Sequence, residues 1–373
     1  LSVLFTGATG FLGSRLLRRL LDDDDRDEPI TVVGRAAPSV LRPRVEAALL
    51  AAGRRPLCDG ALRRLRYLAG DLTVPGLGWD ARTRDAATED LDTIWHCAAV
   101  LALRGDPVPL FKTNVGGARS VLALAERAPA ARLFHVSTAY VAGLRHRGHI
   151  RECDLSERHG FRTYYEETKF NVERLIHAWS AHHERPATVF RPSLLVTDRP
   201  APPGLPAQPL SAYARLIDAS LRARGGPGSD GAGATADVHL AFDPLDNLNL
   251  LQVDYAVHAM IRAAAHPLPA SSRVRTLHVT HPRNTTLTEV LRGFELACPG
   301  LRVRASSPTR TRTPNTLEAL LADRLPPLSS FVGQRRTYDR ANLLSAVGDL
   351  PDPPAVDRDY LARGLHPRPP EPT

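Results

Sequence analysis

The chain has 373 residues, 43% of them apolar and 24% charged, an ordinary balance for a globular protein with a large core and two intimately joined lobes. Its formal charge of +8 suits an acidic small molecule, an acidic carrier protein or anionic lipid, but no Lys/Arg block is long enough to select nucleic acid. No apolar stretch reaches bilayer length, and Cys58, Cys97, Cys153 and Cys298 are too dispersed for a metal-ligand pair or a disulfide framework, so the expectation is a reduced, cytoplasmic protein without a metal.

Leu1 is an unusual first residue, reading either as the edge of a fragment or as an alternative initiation codon, and no secretory signal follows it. Residues 3–6 read as a buried strand and residues 11–21 as the helix after it. Between them lies Thr6-Gly7-Ala8-Thr9-Gly10-Phe11-Leu12-Gly13. In this pattern Gly7 makes a tight turn, Gly10 lets a pyrophosphate approach the backbone, and Gly13 allows helix and strand to pack closely. The helix N-terminus supplies N–H groups and a favourable dipole. The acidic run at 22–25 reads as a solvated loop, since consecutive carboxylates do not converge on an ion.

A second strand is expected over residues 30–33. An acid near its end commonly binds the ribose hydroxyls of NAD; here Val33-Gly34 is followed by Arg35, whose charge suits the extra phosphate of NADP. A helix is expected over about 40–50 and a third strand over 66–68, ending near Gly70, Asp71 and Leu72. Asp71 is placed to contact adenine or to cap a turn. Residues 93–97 form a fourth strand leading into His96-Cys97-Ala98-Ala99-Val100, whose small Ala98 and Ala99 permit close approach of a cofactor. His96 reads as a structural hydrogen-bonding residue. Helical periodicity covers 110–127 and contains Asn114, a candidate for the polar network around a catalytic lysine.

A fifth strand over 133–136 ends at Ser137 and Thr138, where ligands collect in open α/β sheets. Thr138 is the first candidate and Ser137 the second for a hydroxyl that orients a reacting carbonyl. Within the helix expected over 165–183, Tyr165 and Lys169 are four residues apart and share a face. Lys169 can hold a cofactor ribose and favour the phenolate, and Tyr165 can then move the proton that accompanies hydride transfer. A strand at 188–190 precedes Pro192. Beyond it, 198–209 is proline-rich and 225–234 glycine-rich, suggesting loops around a substrate region. Strand-like 248–253, a helix over 255–265 and a strand over 275–279 follow, with a proline-rich tail from Pro351. The alternation of strands and helices predicts an α/β fold with a Rossmann-type, doubly wound parallel sheet and a smaller substrate lobe. The expected cofactor-binding domain is 1–192 completed by about 249–280, and the expected substrate lobe is 193–248 with 281–373.

TGATGFLG at 6–13, HCAAV at 96–100, NVGG at 114–117, VSTAYV at 136–141, YEETK at 165–169 and RPS at 191–193 together resemble the extended short-chain dehydrogenase/reductase family over nearly the whole chain. VSTAYV, RPSLLVTD at 191–198, LLQVDYAVHAM at 250–260 and Tyr338-Asp339-Arg340-Ala341-Asn342 resemble its thioester reductase-like and fatty acyl-CoA reductase branch. The resemblance implies NADPH as cofactor, Tyr165 and Lys169 as catalytic residues, and Leu72 and Pro192 among the cofactor contacts. It further implies reduction of an acyl thioester, carried on CoA or on a separate acidic carrier, to an aldehyde or alcohol. After Asp198 the family's glycine-containing turn is replaced by Arg199-Pro200-Ala201-Pro202-Pro203. The alternatives are a hydroxyl/ketone dehydrogenase or epimerase acting on a sterol-like or sugar-derived substrate, and an NADP-binding redox sensor. A homodimer is left open.

Overall fold

The computed structural model describes residues 2–22, 27–58, 60–102, 105–225, 235–266, 273–305, 313–324 and 332–367. Leu1, most of the acidic run and nearly all of the glycine-rich segment lie outside them. The first half runs β1 (Ser2–Thr6), α1 (Phe11–Leu21), β2 (Ile30–Gly34), α2 (Pro38–Ala52), β3 (Leu65–Ala69), α3 (Ala81–Thr88), β4 (Leu91–His96), α4 (Pro107–Phe111), α5 (Gly117–Arg127), β5 (Arg132–Val136), β6 (Arg147–Ile150) and α6 (Tyr164–His183). The chain continues through β7 (Ala187–Pro192), β8 (Leu194–Val196), α7 (Ser211–Gly225), β9 (Ala236–Leu240), β10 (Asn247–Leu248), β11 (Leu250–Gln252), α8 (Val253–Ala265) and β12 (Val274–Val279). It ends with β13 (Thr285–Thr286), α9 (Leu287–Ala297), β14 (Leu301–Ala305), α10 (Thr316–Arg324), β15 (Arg335–Tyr338), α11 (Ala341–Val347) and α12 (Arg358–Leu365).

Seven parallel strands form the main sheet in the order β12-β7-β5-β4-β1-β2-β3. Successive side chains of a strand point to opposite faces, so each strand feeds two cores. Val3, Phe5, Ile30, Val32, Phe134 and Phe190 meet α1, α2, α8 and α11 on one face. Leu4, Val33, Ile94, Leu133 and Val189 meet α5 and α6 on the other. The order reverses between β1 and β4, which opens a crevice at their C-terminal ends. Gly7 and Ala98 lie in the segments leaving those two ends, and Arg35, Asp71 and Thr138 in the segments leaving β2, β3 and β5.

A third core gathers α7, β9, α9, α10 and α12. Around it the strands pair in short two-stranded units, β8 with β11, β9 with β14, β10 with β13 and β6 with β15. Two expectations change here. Residues after Pro351 are not simply a tail: α12 packs on α9, and a Cβ on Gly364 would stand 1.6 Å from the Thr197 carbonyl oxygen. Gln208 ties the same place together, donating to Gly364 O at 2.7 Å and accepting from Thr197 N at 3.1 Å. The second change is α11, placed by sequence in the substrate lobe, whose Leu343, Ala346 and Val347 pack instead into the first core.

Arg199, at the point where the sequence departs from its branch, donates to the carbonyls of Ala52 and Gly53, each at 2.9 Å. A guanidinium there satisfies carbonyls left open at the end of α2 and matches the negative end of its dipole. Asp198 adds an ion pair to Arg54 at 2.8 Å, so the segment leaving β8 is pinned to the first lobe. No helix of the described residues is long and apolar enough to cross a membrane.

Candidate active site

The glycine-rich turn is built by sterics. Gly7 takes φ +83°, and a Cβ there would lie 2.6 Å from Ala98 N, so this turn can pass the end of β4 only with glycine. At Gly13 a Cβ would stand 2.1 Å from the Gly7 carbonyl oxygen, which is what presses α1 against its own entry turn. Gly10 is the N-cap of α1 and provides no side-chain cap. The N–H groups of the first turn are therefore directed to the crevice, beside exposed Thr9 and Gly10 and half-buried Phe11 and Leu12. A backbone cradle that side chains would fill, with an uncapped helix N-terminus, fits a dinucleotide pyrophosphate. Thr6 lies in the wall rather than at the surface of the cradle. It is 1% exposed, and its hydroxyl pairs with His96 Nδ1 at 2.9 Å and accepts from Ala98 N at 3.2 Å. His96 thus has the structural role expected of it, and burial holds its imidazole down to about 3.

Arg35 is exposed immediately beyond β2. Asp71 accepts from Thr73 N at 2.8 Å. That bond, helped by Arg35 and Lys112, holds its carboxyl below the usual range. The carboxylate is therefore partly committed to its own turn. Leu72 packs on Gly117, where a Cβ would come within 2.9 Å of the leucine's own Cβ. Ala98 is half-buried and Ala99 exposed along the same rim.

The chemical end is organised by α6. Thr163 caps the helix by accepting from Glu166 N at 3.3 Å, which sets Tyr165 and Lys169 on the inward face. Tyr165 is half-buried, whereas Tyr164 is 50% exposed. Burial, with a contribution from the Glu166 carboxylate, pushes the Tyr165 phenol well above its ordinary value. Lys169 is buried and donates to Val136 O at 2.7 Å. Burial lowers its ammonium to about 8, against the opposing pull of Cys97 and Glu173.

Asn114 lies on a π-helical turn, Lys112–Gly116, between α4 and α5; such turns re-aim a side chain within a helix. Its Oδ1 accepts from Val100 N at 2.8 Å, while Nδ2 donates to Val100 O at 3.1 Å and to Thr168 Oγ1 at 3.0 Å. One amide therefore joins the segment after β4 to the helix that carries Tyr165 and Lys169.

The two hydroxyls after β5 differ. Ser137 donates to Glu173 Oε1, so its one proton is committed. Thr138 accepts from Tyr140 N at 3.2 Å and makes only a long 3.5 Å contact to Pro192 O. Glu173 and Arg191 were missed by sequence reasoning. Both are fully buried, and Arg191 Nη2 meets Glu173 Oε2 at 2.7 Å. The available signal was the spacing: Glu173 follows Lys169 by the same four residues that separate Lys169 from Tyr165. Glu152 was also missed. It accepts backbone N–H bonds from His278, Asn342 and Leu343, which anchors the 338–342 motif to the end of β6.

Residues 5–260 match the model of the family described as male sterility protein. A polyketide synthase-nonribosomal peptide synthetase of Aspergillus flavipes is 27% identical over 240 residues, 63% of this chain and 5% of that protein. Fatty acyl-CoA reductase 1 of Xenopus laevis is 29% identical over 145 residues, 37% of this chain and 28% of that protein. This chain thus spans only 5% and 28% of the lengths of these two relatives. Among solved structures, the terminal R domain from the myxalamid PKS-NRPS biosynthetic pathway superposes with a TM-score of 0.74 at 25% identity, covering 98% of this chain and 90% of that one. UDP-glucuronic acid 4-epimerase from Bacillus cereus, at 16% identity, a TM-score of 0.65 and 98% coverage of both chains, shares the fold.

Proposed function

The chain belongs to the male sterility protein family and is an NAD(P)-dependent oxidoreductase of the extended short-chain dehydrogenase/reductase type, and from that premise we propose that it reduces an activated acyl thioester with NADPH. The observation that supports this chemistry is the four-residue spacing of Tyr165 and buried Lys169 on α6, with Lys169 donating to Val136 O at the end of β5. Gly7, Gly10, Gly13 and the first turn of α1 would hold the pyrophosphate, and exposed Arg35 the 2′-phosphate. When bound, NADPH supplies the hydride to the carbonyl carbon. Thr138 orients the carbonyl oxygen, since the proton of Ser137 is already donated to Glu173. Tyr165 gives that oxygen its proton, and the charge of Lys169 steadies the phenolate left behind. As the tetrahedral adduct collapses, its hydroxyl proton returns to the Tyr165 phenolate and the C–S bond breaks, releasing the aldehyde and a thiolate that takes a proton from water.

The acyl thioester is supported by the relatives' names, by the R-domain likeness across nearly the whole chain, and by the net positive charge, which suits a CoA phosphate or an acidic carrier. Purified protein incubated with NADPH and a panel of acyl-CoA and carrier-bound thioesters, followed by product mass measurement, tests it. Aldehyde or alcohol formation is expected. Turnover confined to free ketones or secondary alcohols would refute the thioester reading in favour of a hydroxyl/ketone dehydrogenase.

A further inference from the structure

A buried ion pair lies behind the catalytic helix. Glu173 is completely buried, one turn beyond Lys169 on the same face of α6. Arg191 on β7 grips both its oxygens, with Nε at 3.0 and 3.1 Å and Nη2 at 2.7 Å. The remaining guanidinium nitrogen donates to Asp154 O at 3.0 Å and Glu152 O at 3.3 Å. Ser137 Oγ completes the set by donating to Glu173.

Three consecutive residues at the end of β5 thereby meet three parts of the site. Val136 gives its carbonyl to Lys169 at 2.7 Å, Ser137 gives its hydroxyl to Glu173, and Thr138 follows at the crevice. Ser137 N is also fixed on Phe190 O at 2.7 Å. We propose that Glu173 is a positioning residue: held by Arg191 and Ser137, it fixes the register of α6 on β5 and sets its carboxylate one helical turn from Lys169. The inference rests on the assignment of Tyr165 and Lys169, and is independent of whether the substrate is a thioester.

A buried ion pair is a poor source of stability, because desolvation offsets most of its attraction. An apolar pair of like volume would serve packing as well, so the location of the carboxylate points to its charge. The groups around Lys169 agree. His96 on β4 and His135 on β5 are kept neutral by burial, and the Cys97 thiol after β4 is pushed up to about 12. Arg191 on β7 is a cation and Tyr165 on α6 the proton donor. Against that burial, the Glu173 carboxylate favours the charged form of Lys169.

The test measures the pH dependence of kcat, KM for NADPH and thermal melting for the full-length Glu173→Gln, Ser137→Ala and Tyr165→Phe variants, using whichever substrate the wild type reduces. Without the carboxylate Lys169 loses its proton more readily. The alkaline limb of Glu173→Gln should therefore move to lower pH by at least about half a unit. Ser137→Ala should keep its KM for NADPH while kcat falls about 3- to 10-fold. An unmoved alkaline limb in Glu173→Gln, or a wild-type kcat in Ser137→Ala, would overturn the proposal. If Glu173→Gln does not fold, Glu173→Asp decides: reduced kcat with the wild-type alkaline limb supports the proposal, and unchanged kcat overturns it. An active Tyr165→Phe would instead refute the site assignment on which the inference rests.

Discussion

Replacing Arg35 by alanine isolates the origin of cofactor choice. Arg35 is exposed one residue past β2, and Gly34 before it is hemmed in by Leu41, where a Cβ would meet the leucine Cδ1 at 2.7 Å. The arginine therefore leaves the strand at a fixed point beside the start of α2. Asp71, beyond the end of β3, accepts from Thr73 N with Oδ1 and is partly committed to its own turn. A charge-assisted bond from guanidinium to phosphate contributes about 1.5–3 kcal/mol. Exposure and salt screening reduce that to about 1–2 kcal/mol at this position. Arg35→Ala should therefore lower kcat/KM for NADPH about 5- to 30-fold and leave kcat/KM for NADH within about twofold. Initial rates with both cofactors at one substrate concentration series measure this. The NADPH advantage should also shrink as ionic strength rises. Equal losses with both cofactors would refute the reasoning, because NADH has no 2′-phosphate to lose contact with.

Gly13→Ala should abolish detectable NADPH binding in a fluorescence titration, since its Cβ would stand 2.1 Å from a backbone oxygen that has no rotamer to change. Asn114→Ala removes three hydrogen bonds at a 2% exposed position. It should cost about 1–3 kcal/mol in chemical denaturation, the Val100 partners recovering part of the loss from water. Lys169 gives the pH dependence. Its folded value of about 8 lies below its ordinary 10.5, so the fold binds its proton more weakly than the unfolded chain does. The stability penalty is then fully present below about pH 8 and is relieved as pH rises from 8 towards 10.5, while kcat for reduction falls over that same rise as the charge behind Tyr165 is lost. Denaturation midpoints and kcat measured across that window should move in opposite directions.

The first half of the fold was legible because its strands are buried on both faces. Residues 3–6, 30–33 and 133–136 read as apolar runs, and each ends at a glycine or hydroxyl residue that marks the crevice. The Tyr165–Lys169 spacing was legible for the same local reason, a helical face. The later lobe hides its order in long-range pairing: β6 and β15 match Arg147 with Arg335, and neither strand has an apolar run of its own. The helix α12 was hidden by the prolines before it, which end one element without forbidding the next. Glu173 and Glu152 looked like ordinary charges because an acid's partners lie outside its own segment. The carboxylate of Glu173 is answered from β7 and that of Glu152 by backbone N–H groups more than a hundred residues away.

The central claim is that this site delivers hydride to the carbonyl carbon of an acyl thioester with Tyr165 as proton donor. NADPH deuterated at the transferring position, an acyl thioester and product mass spectrometry test it in one reaction. The account predicts one deuterium on the former carbonyl carbon of an aldehyde product, or two on that of an alcohol, from the wild type, and a Tyr165→Phe variant that still binds NADPH but forms at most about one-hundredth as much product. Unlabelled aldehyde, or full turnover by Tyr165→Phe, would contradict it.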